Sequence, residues 1–141
     1  MNILFETDKL KVVHEYEWTA LIDKVSGRIV FEDDFYGDPD CALIDVNNAW
    51  AIVGGEHLTI WRKGIWRKWI WRKEQLIYPE NPELTWIHSL RLTEPDVVEI
   101  LTDPWSEHSA IWQLDMRTLK ARKLRDFTVY KDKPYTDKIE W

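Results

Sequence analysis

Three stretches of this chain repeat one pattern, and that repetition restricts the fold more than any other feature. Glu17-Trp18-Thr19-Ala20-Leu21-Ile22, Glu56-His57-Leu58-Thr59-Ile60-Trp61 and Glu107-His108-Ser109-Ala110-Ile111-Trp112 share an acid, an aromatic ring, a small or apolar pair and two large apolar residues, in that order. The glutamates lie 39 and 51 residues apart, close to the length of a four-stranded antiparallel meander with its loops. A β-rich run precedes each window, at residues 10–16, 50–53 and 97–101. Residues 21–31 and 113–124 also run parallel as hairpins. In each, an Asp ends one strand, a Ser or Thr sits in the turn and a basic residue opens the next strand, which is turn chemistry with a hydrogen-bonding rationale. Both hairpins close alike, in Asp34-Phe35 and Asp126-Phe127. The pattern predicts three meander units of up to four strands each, over residues 2–35, 41–78 and 84–127, followed by a tail at 128–141.

Composition agrees with an all-β chain. No window of a dozen residues carries a 3.6-residue apolar period, and β-branched and aromatic residues dominate the apolar set. Proline, glycine and acids at 36–40 and 79–83 interrupt strand pairing and mark the unit boundaries. A length of 141 residues, of which 45% are hydrophobic, suits a single domain, 1–141, with its own core. The single cysteine, Cys41, cannot close an intrachain disulfide, and Glu6 and Asp8 fall where a secretory leader would be apolar. The expected compartment is the cytoplasm. The longest apolar stretch, 49–55, falls far short of the roughly 20 residues that span a bilayer, so no membrane partner is expected.

A smaller repeat lies in the middle of the chain: Ile60-Trp61-Arg62-Lys63, Ile65-Trp66-Arg67-Lys68 and Ile70-Trp71-Arg72-Lys73. Its period of five is odd, so neighbouring copies in one continuous strand would put their Trp rings on opposite faces. A turn near Lys63-Gly64, or a bulge, would return them to one side. The block 61–73 carries six cations and no acid, so the formal charge of −6 leaves −12 for the remainder. Arg62, Trp66, Arg67, Trp69, Trp71 and Arg72 therefore form a candidate single-strand nucleic-acid surface, with cations along the phosphates and bases on the indoles. The competing account is intramolecular, with the cations screening the acidic remainder and lying over indoles. The net acidity disfavours nucleic acid as a general partner. Trp61 and Trp112 occupy equivalent repeat positions and are expected in the core. Trp66, Trp69, Trp71 and Trp105 are the candidates for exposed anchors.

Catalytic signals are weak. His14, His57, His88 and His108 are far apart, with no His-x-x-x-His or Cys-x-x-Cys spacing, and no glycine-rich phosphate loop occurs. Neither a metal nor another cofactor is expected. Residues 103–108 hold Asp103, Ser106 and His108, the components of a hydrolase triad, but a loop of six residues seldom gives them triad geometry. Cys41, at the head of an expected strand, reads as a small buried hydrophobe.

The three windows and two hairpins resemble the blades of β-propellers over about residues 2–127. That resemblance implies a partial propeller or a stack of small sheets, because closed propellers have four or more blades. An open array leaves an edge or concave face to be covered by a partner, or by a second copy. In size and acidity the chain is also similar to the small immunity proteins with which bacteria neutralise their own toxins. The residues behind that likeness are the acidic loop 32–40 and the abundant Trp, ten in all. The likeness implies a non-enzymatic module that blocks the active cleft of a basic toxin. Its contacts would be Glu32, Asp33, Asp34, Tyr36, Asp38 and Asp40, with Trp105 and Glu107 beside them, and charge would steer association.

Overall fold

A computed structural model describes all residues, Met1–Trp141. The chain is all-β, with fourteen strands in four antiparallel sheets, none of them closed. The first sheet is the meander β1 (Asn2–Glu6), β2 (Leu10–Glu15), β3 (Trp18–Asp23) and β4 (Ile29–Asp34). The second joins β5 (Cys41–Ile44), β6 (Trp50–Gly54) and β7 (Leu58–Arg62) to β10 (Gln75–Ile77). Between β7 and β10 the chain leaves the sheet to form a separate hairpin, β8 (Ile65–Arg67) and β9 (Ile70–Arg72). The last sheet is β11 (Ile87–Glu94), β12 (Val97–Thr102), β13 (Ala110–Asp115) and β14 (Ala121–Asp126). No helix is long and apolar enough to cross a membrane.

Each repeated window opens the third strand of its sheet, β3, β7 or β13. The turns that follow β3 and β13 are built alike. The Asp23 carboxylate accepts the backbone N–H groups of Val25 and Ser26, and that of Asp115 accepts those of Arg117 and Thr118. Four residues beyond each Asp the backbone turns left-handed, at Gly27 (φ 76°) and Leu119 (φ 62°), and donates its N–H to the Asp carbonyl. These backbone bonds hold both carboxyls below the usual carboxylate range. Only the middle sheet lacks this turn. Its place is taken by residues 63–74 and the β8–β9 hairpin.

The middle sheet is covered on both faces, and strand alternation explains how. Every residue of β6 and β7 is buried. Trp50, Ile52, Leu58 and Ile60 point into a cluster with Ile87, Val98, Ile100, Trp112 and Leu114 of the third sheet. Ala51, Val53 and Trp61, one residue out of phase, meet Leu10, Val12, Leu21 and Phe31 of the first. Trp61 and Trp112 are thus core residues, at 4% and 6% exposure. A smaller cluster of Leu101, Ile111 and Phe127 on the third sheet is covered by the tail through Tyr130, Ile139 and Trp141. Sheet-to-sheet ties are polar as well: the Trp50 indole donates to Asp96 at 2.8 Å, and the buried Arg62 guanidinium donates to the Arg117 carbonyl at 2.9 Å.

The second and third sheets approach each other tightly at Gly54. A methyl group there would lie 2.6 Å from Cγ2 of Ile87, which is fully buried and has no room to retreat. We expect Gly54→Ala to overpack this joint and lower stability by about 1–3 kcal/mol, read as a reduced midpoint in urea denaturation with little change in slope.

Candidate functional site

The acidic segment 32–40 divides according to strand alternation. Strand β4 continues through Asp34, so Asp33 shares the inward face with buried Phe31, whereas Glu32 and Asp34 are exposed. The Asp33 carboxylate accepts from His57 Nε2 and from Thr59 Oγ1, each at 2.7 Å. Glu56 takes the other ring nitrogen of His57, and the imidazole stacks on Phe35 at 4.0 Å between centroids. Burial opposes charge on this ring, but hydrogen bonds and charge from Glu56 and Asp33 outweigh it and raise the His57 pKa above the ordinary 6.5. Both ring nitrogens are spent on carboxylates. The arrangement is an ionic bracket that fixes the acidic loop to β7.

Beyond the bracket the segment is open. Tyr36 is exposed and meets Trp86 edge-on at 6.2 Å, and Asp38 is exposed. Glu32 accepts from the Trp18 indole at 3.0 Å. Asp40 stands at the head of β5, with its N–H on the Gly54 carbonyl at 2.8 Å. There it borders a cleft of about 310 Å³ with Trp86, His88, Asp103, Trp105 and Tyr135. Trp105 stacks with Tyr135 at 5.0 Å and meets His88 edge-on at 5.5 Å. Neither Asp40 nor Asp103 takes part in an ion pair. Partial burial raises the Asp40 pKa; His88 pulls it down, and Asp38 pushes it further up. Two unpaired carboxyl groups therefore share one cleft with three aromatic rings.

Of the residues singled out in the sequence, the structure brings Asp40 and Trp105 into this cleft, leaves Tyr36 and Asp38 on the loop that leads to it, and keeps Glu32 and Asp34 exposed on strand β4. Asp33 is turned inward. Glu107 is exposed on the loop beyond Trp105, 3.4 Å from the His108 ring. Trp86, His88, Asp103 and Tyr135 complete the cleft from the start of β11, the β12–β13 loop and the tail.

In loop 103–108 the candidate triad members are used locally. Asp103 accepts the Trp105 N–H at 3.2 Å, Ser106 Oγ accepts the His108 N–H at 3.0 Å, and the His108 ring faces Glu107. Burial, chiefly, with Asp40 adding to it, pushes the Cys41 thiol up, away from thiolate chemistry. No group of three or more His, Cys, Asp or Glu side chains is placed to hold a metal ion. Within the basic block, Arg62 is buried while Trp66, Trp69 and Trp71 are exposed. No protein-family model matches the chain, and no curated protein matches it.

The His57 bracket has a pH signature. A folded pKa raised above the unfolded value gives a contribution to stability that is full below about pH 6.5 and is lost as pH rises through the raised folded value. The urea midpoint should therefore fall as pH rises above about 6.5, and Asp33→Asn should flatten that fall. An equal slope in both proteins would show that the bracket carries no linked proton.

Proposed function

We propose that this chain is a non-enzymatic binding module for a basic protein. The observation that carries the proposal is the cleft in which unpaired Asp40 and Asp103 stand beside Trp86, Trp105 and Tyr135. A guanidinium or ammonium group satisfies both parts of that lining, through charge-assisted bonds to the carboxylates and cation–π contact with the rings. Asp38, close enough to act on Asp40, extends the negative field of the cleft, and with the exposed acids Glu32 and Asp34 of β4 would speed encounter with a cationic surface. The concrete form of the proposal is toxin neutralisation, with the acidic face occupying a toxin's basic active cleft.

The fold is suited to that task in the blade-like reading. β5 lies against both β1 and β11, so the first strands of successive sheets are neighbours, as in a propeller that stops after three blades. The clefts of such an array form at the joints between sheets, which is where Asp40, Trp86 and Asp103 meet.

Binding of fluorescein-labelled octa-arginine, followed by anisotropy, tests the surface. The double change Asp40→Asn/Asp103→Asn, and separately Trp105→Ala, should each weaken binding by tenfold or more, and binding to the unaltered protein should fall steeply between 50 and 300 mM salt. Asp33 is left intact in these variants because its loss would break the His57 bracket. Affinity indifferent to these substitutions and to salt would reject the site. The toxin-neutralising form is tested by co-expression with the product of the adjoining gene, where restored growth is the expected result.

A further inference from the structure

The second and third copies of the period-five repeat belong to neither the core nor the acidic cleft. Its first copy lies in β7, where Trp61 and Arg62 are buried. Its second and third copies form the β8–β9 hairpin, inserted where the first and third sheets have tight Asp turns. The hairpin pairs Trp66 with Trp71 and Arg67 with Ile70. Trp66, Trp69 and Trp71 are 84%, 87% and 60% exposed, and none of these indoles packs against another ring. Sequestering so much apolar surface inside the fold would have been the cheaper arrangement.

The charges of the hairpin are equally uncommitted. Lys63, Arg67, Lys68, Arg72 and Lys73 form no ion pair with any carboxylate. Lys68 lies 5.6 Å from the Trp69 ring. At the base of the hairpin is a cleft of about 480 Å³ whose lining includes Lys63, Trp66, Arg67 and Arg72 and no acid. Arg72 spends one donor on the Lys63 carbonyl at 2.8 Å, and its buried Nε has no partner. Three cations, an indole and an unpaired guanidinium donor line one cavity, and those groups match the chemistry of an anion attached to a flat ring.

We propose that the β8–β9 hairpin binds single-stranded nucleic acid that crosses its edge, with phosphates over Lys63, Arg67, Lys68 and Arg72 and bases on Trp66, Trp69 and Trp71, the paired Trp66 and Trp71 lying on the face opposite Arg67 and Arg72. Successive indoles beyond the cleft call for successive bases, which a mononucleotide does not have. A duplex keeps its bases stacked on one another and offers the indoles no faces. A planar anionic lipid surface would face more of the acidic body within a Debye length, whereas a strand can be held by the projecting arm alone. The hairpin and the acidic cleft also lie at opposite ends of β6 and β7: Arg62 pairs with Trp50 at one end, and Leu58 pairs with Gly54 at the other. The strand is therefore held away from the densest negative charge.

The experiment is quenching of tryptophan fluorescence by mixed-sequence 12-mers of single-stranded DNA and RNA, with the matching duplex, AMP and vesicles containing phosphatidylserine as further probes. Expected are saturable quenching by one or both single strands, a log–log salt slope of about −3 if Lys63, Arg67, Lys68 and Arg72 each cover a phosphate, and a loss of roughly 5- to 150-fold for Trp66→Ala or Trp69→Ala. Arg67→Glu/Lys68→Glu should abolish binding, with an unchanged circular dichroism spectrum showing that the fold is retained. Binding to vesicles or duplex without single-strand binding, or quenching that survives these substitutions, overturns the proposal. Loss of octa-arginine binding has no bearing on this surface, so failure of either site is recognised separately.

Discussion

Two adjacent residues without side chains, Gly54 and Gly55, set the distance at which the sheets of this protein meet. A Cβ on Gly54 would strike Ile87, and one on Gly55 would lie 2.8 Å from the Phe35 ring. Their carbonyls receive N–H groups from both neighbouring segments, Asp40 onto Gly54 and Ile87 onto Gly55, while the Glu56 carbonyl receives Trp86. The joint is therefore both steric and hydrogen-bonded. It places Asp40 and Trp86 side by side, and the cleft they line depends on that placement. Burial of both faces of the middle sheet follows from the same approach, because apolar side chains alternate to either side of β6 and β7 only if a sheet lies within reach on each side.

The all-β class was legible because its signals are local. Aspartate turns announce themselves through residues that bond their own backbone, and Asp23 and Asp115 do so at the expected places. The core positions of Trp61 and Trp112 were legible from their equivalence in the repeat. The acidic run was harder to read. Counting charge treats Glu32, Asp33 and Asp34 alike, whereas the pleat separates them, and continuing the alternation from Phe31 would have turned Asp33 inward. The period-five repeat was ambiguous for a physical reason: an odd period is compatible with a strand, a bulge or a turn, and this chain uses a core strand for one copy and a turn for the other two. Trp86, His88, Asp103 and Tyr135 come from three separate elements, and no spacing links them before the sheets pack.

Charge segregation is built by the same topology. The hairpin that carries five cations interrupts the connection from β7 to β10, and the acidic loop enters β5 beside the opposite end of β6. An insertion between two paired core strands changes neither strand's register, as the pairing of Gln75 with Arg62 and Ile77 with Ile60 shows. Such a position accepts a functional excursion at little cost to the fold, since closing a longer loop adds only slowly to the chain entropy. The equivalent positions in the other sheets remain tight turns, and nothing in the packing of the middle sheet requires twelve residues where five suffice elsewhere.

A two-stranded hairpin of this length is at best marginally stable alone, so its persistence depends on how it is anchored. Arg72 ties one arm to the carbonyl of Lys63 at the point where the other arm leaves the sheet. Arg62, directly before that point, is fixed by Gln75 at 3.0 Å and by the Arg117 carbonyl, so both roots of the hairpin are held by guanidinium groups. The protein thus spends the Arg62 guanidinium on the fold, splits Arg72 between an anchoring bond to Lys63 and an Nε with no partner, and leaves Arg67, with Lys63, Lys68 and Lys73, outside any ion pair. That division separates positioning from recognition within one repeat, and it explains why copies that look identical in sequence have different roles: burial decides which guanidinium is spent on the fold and which remains for a ligand.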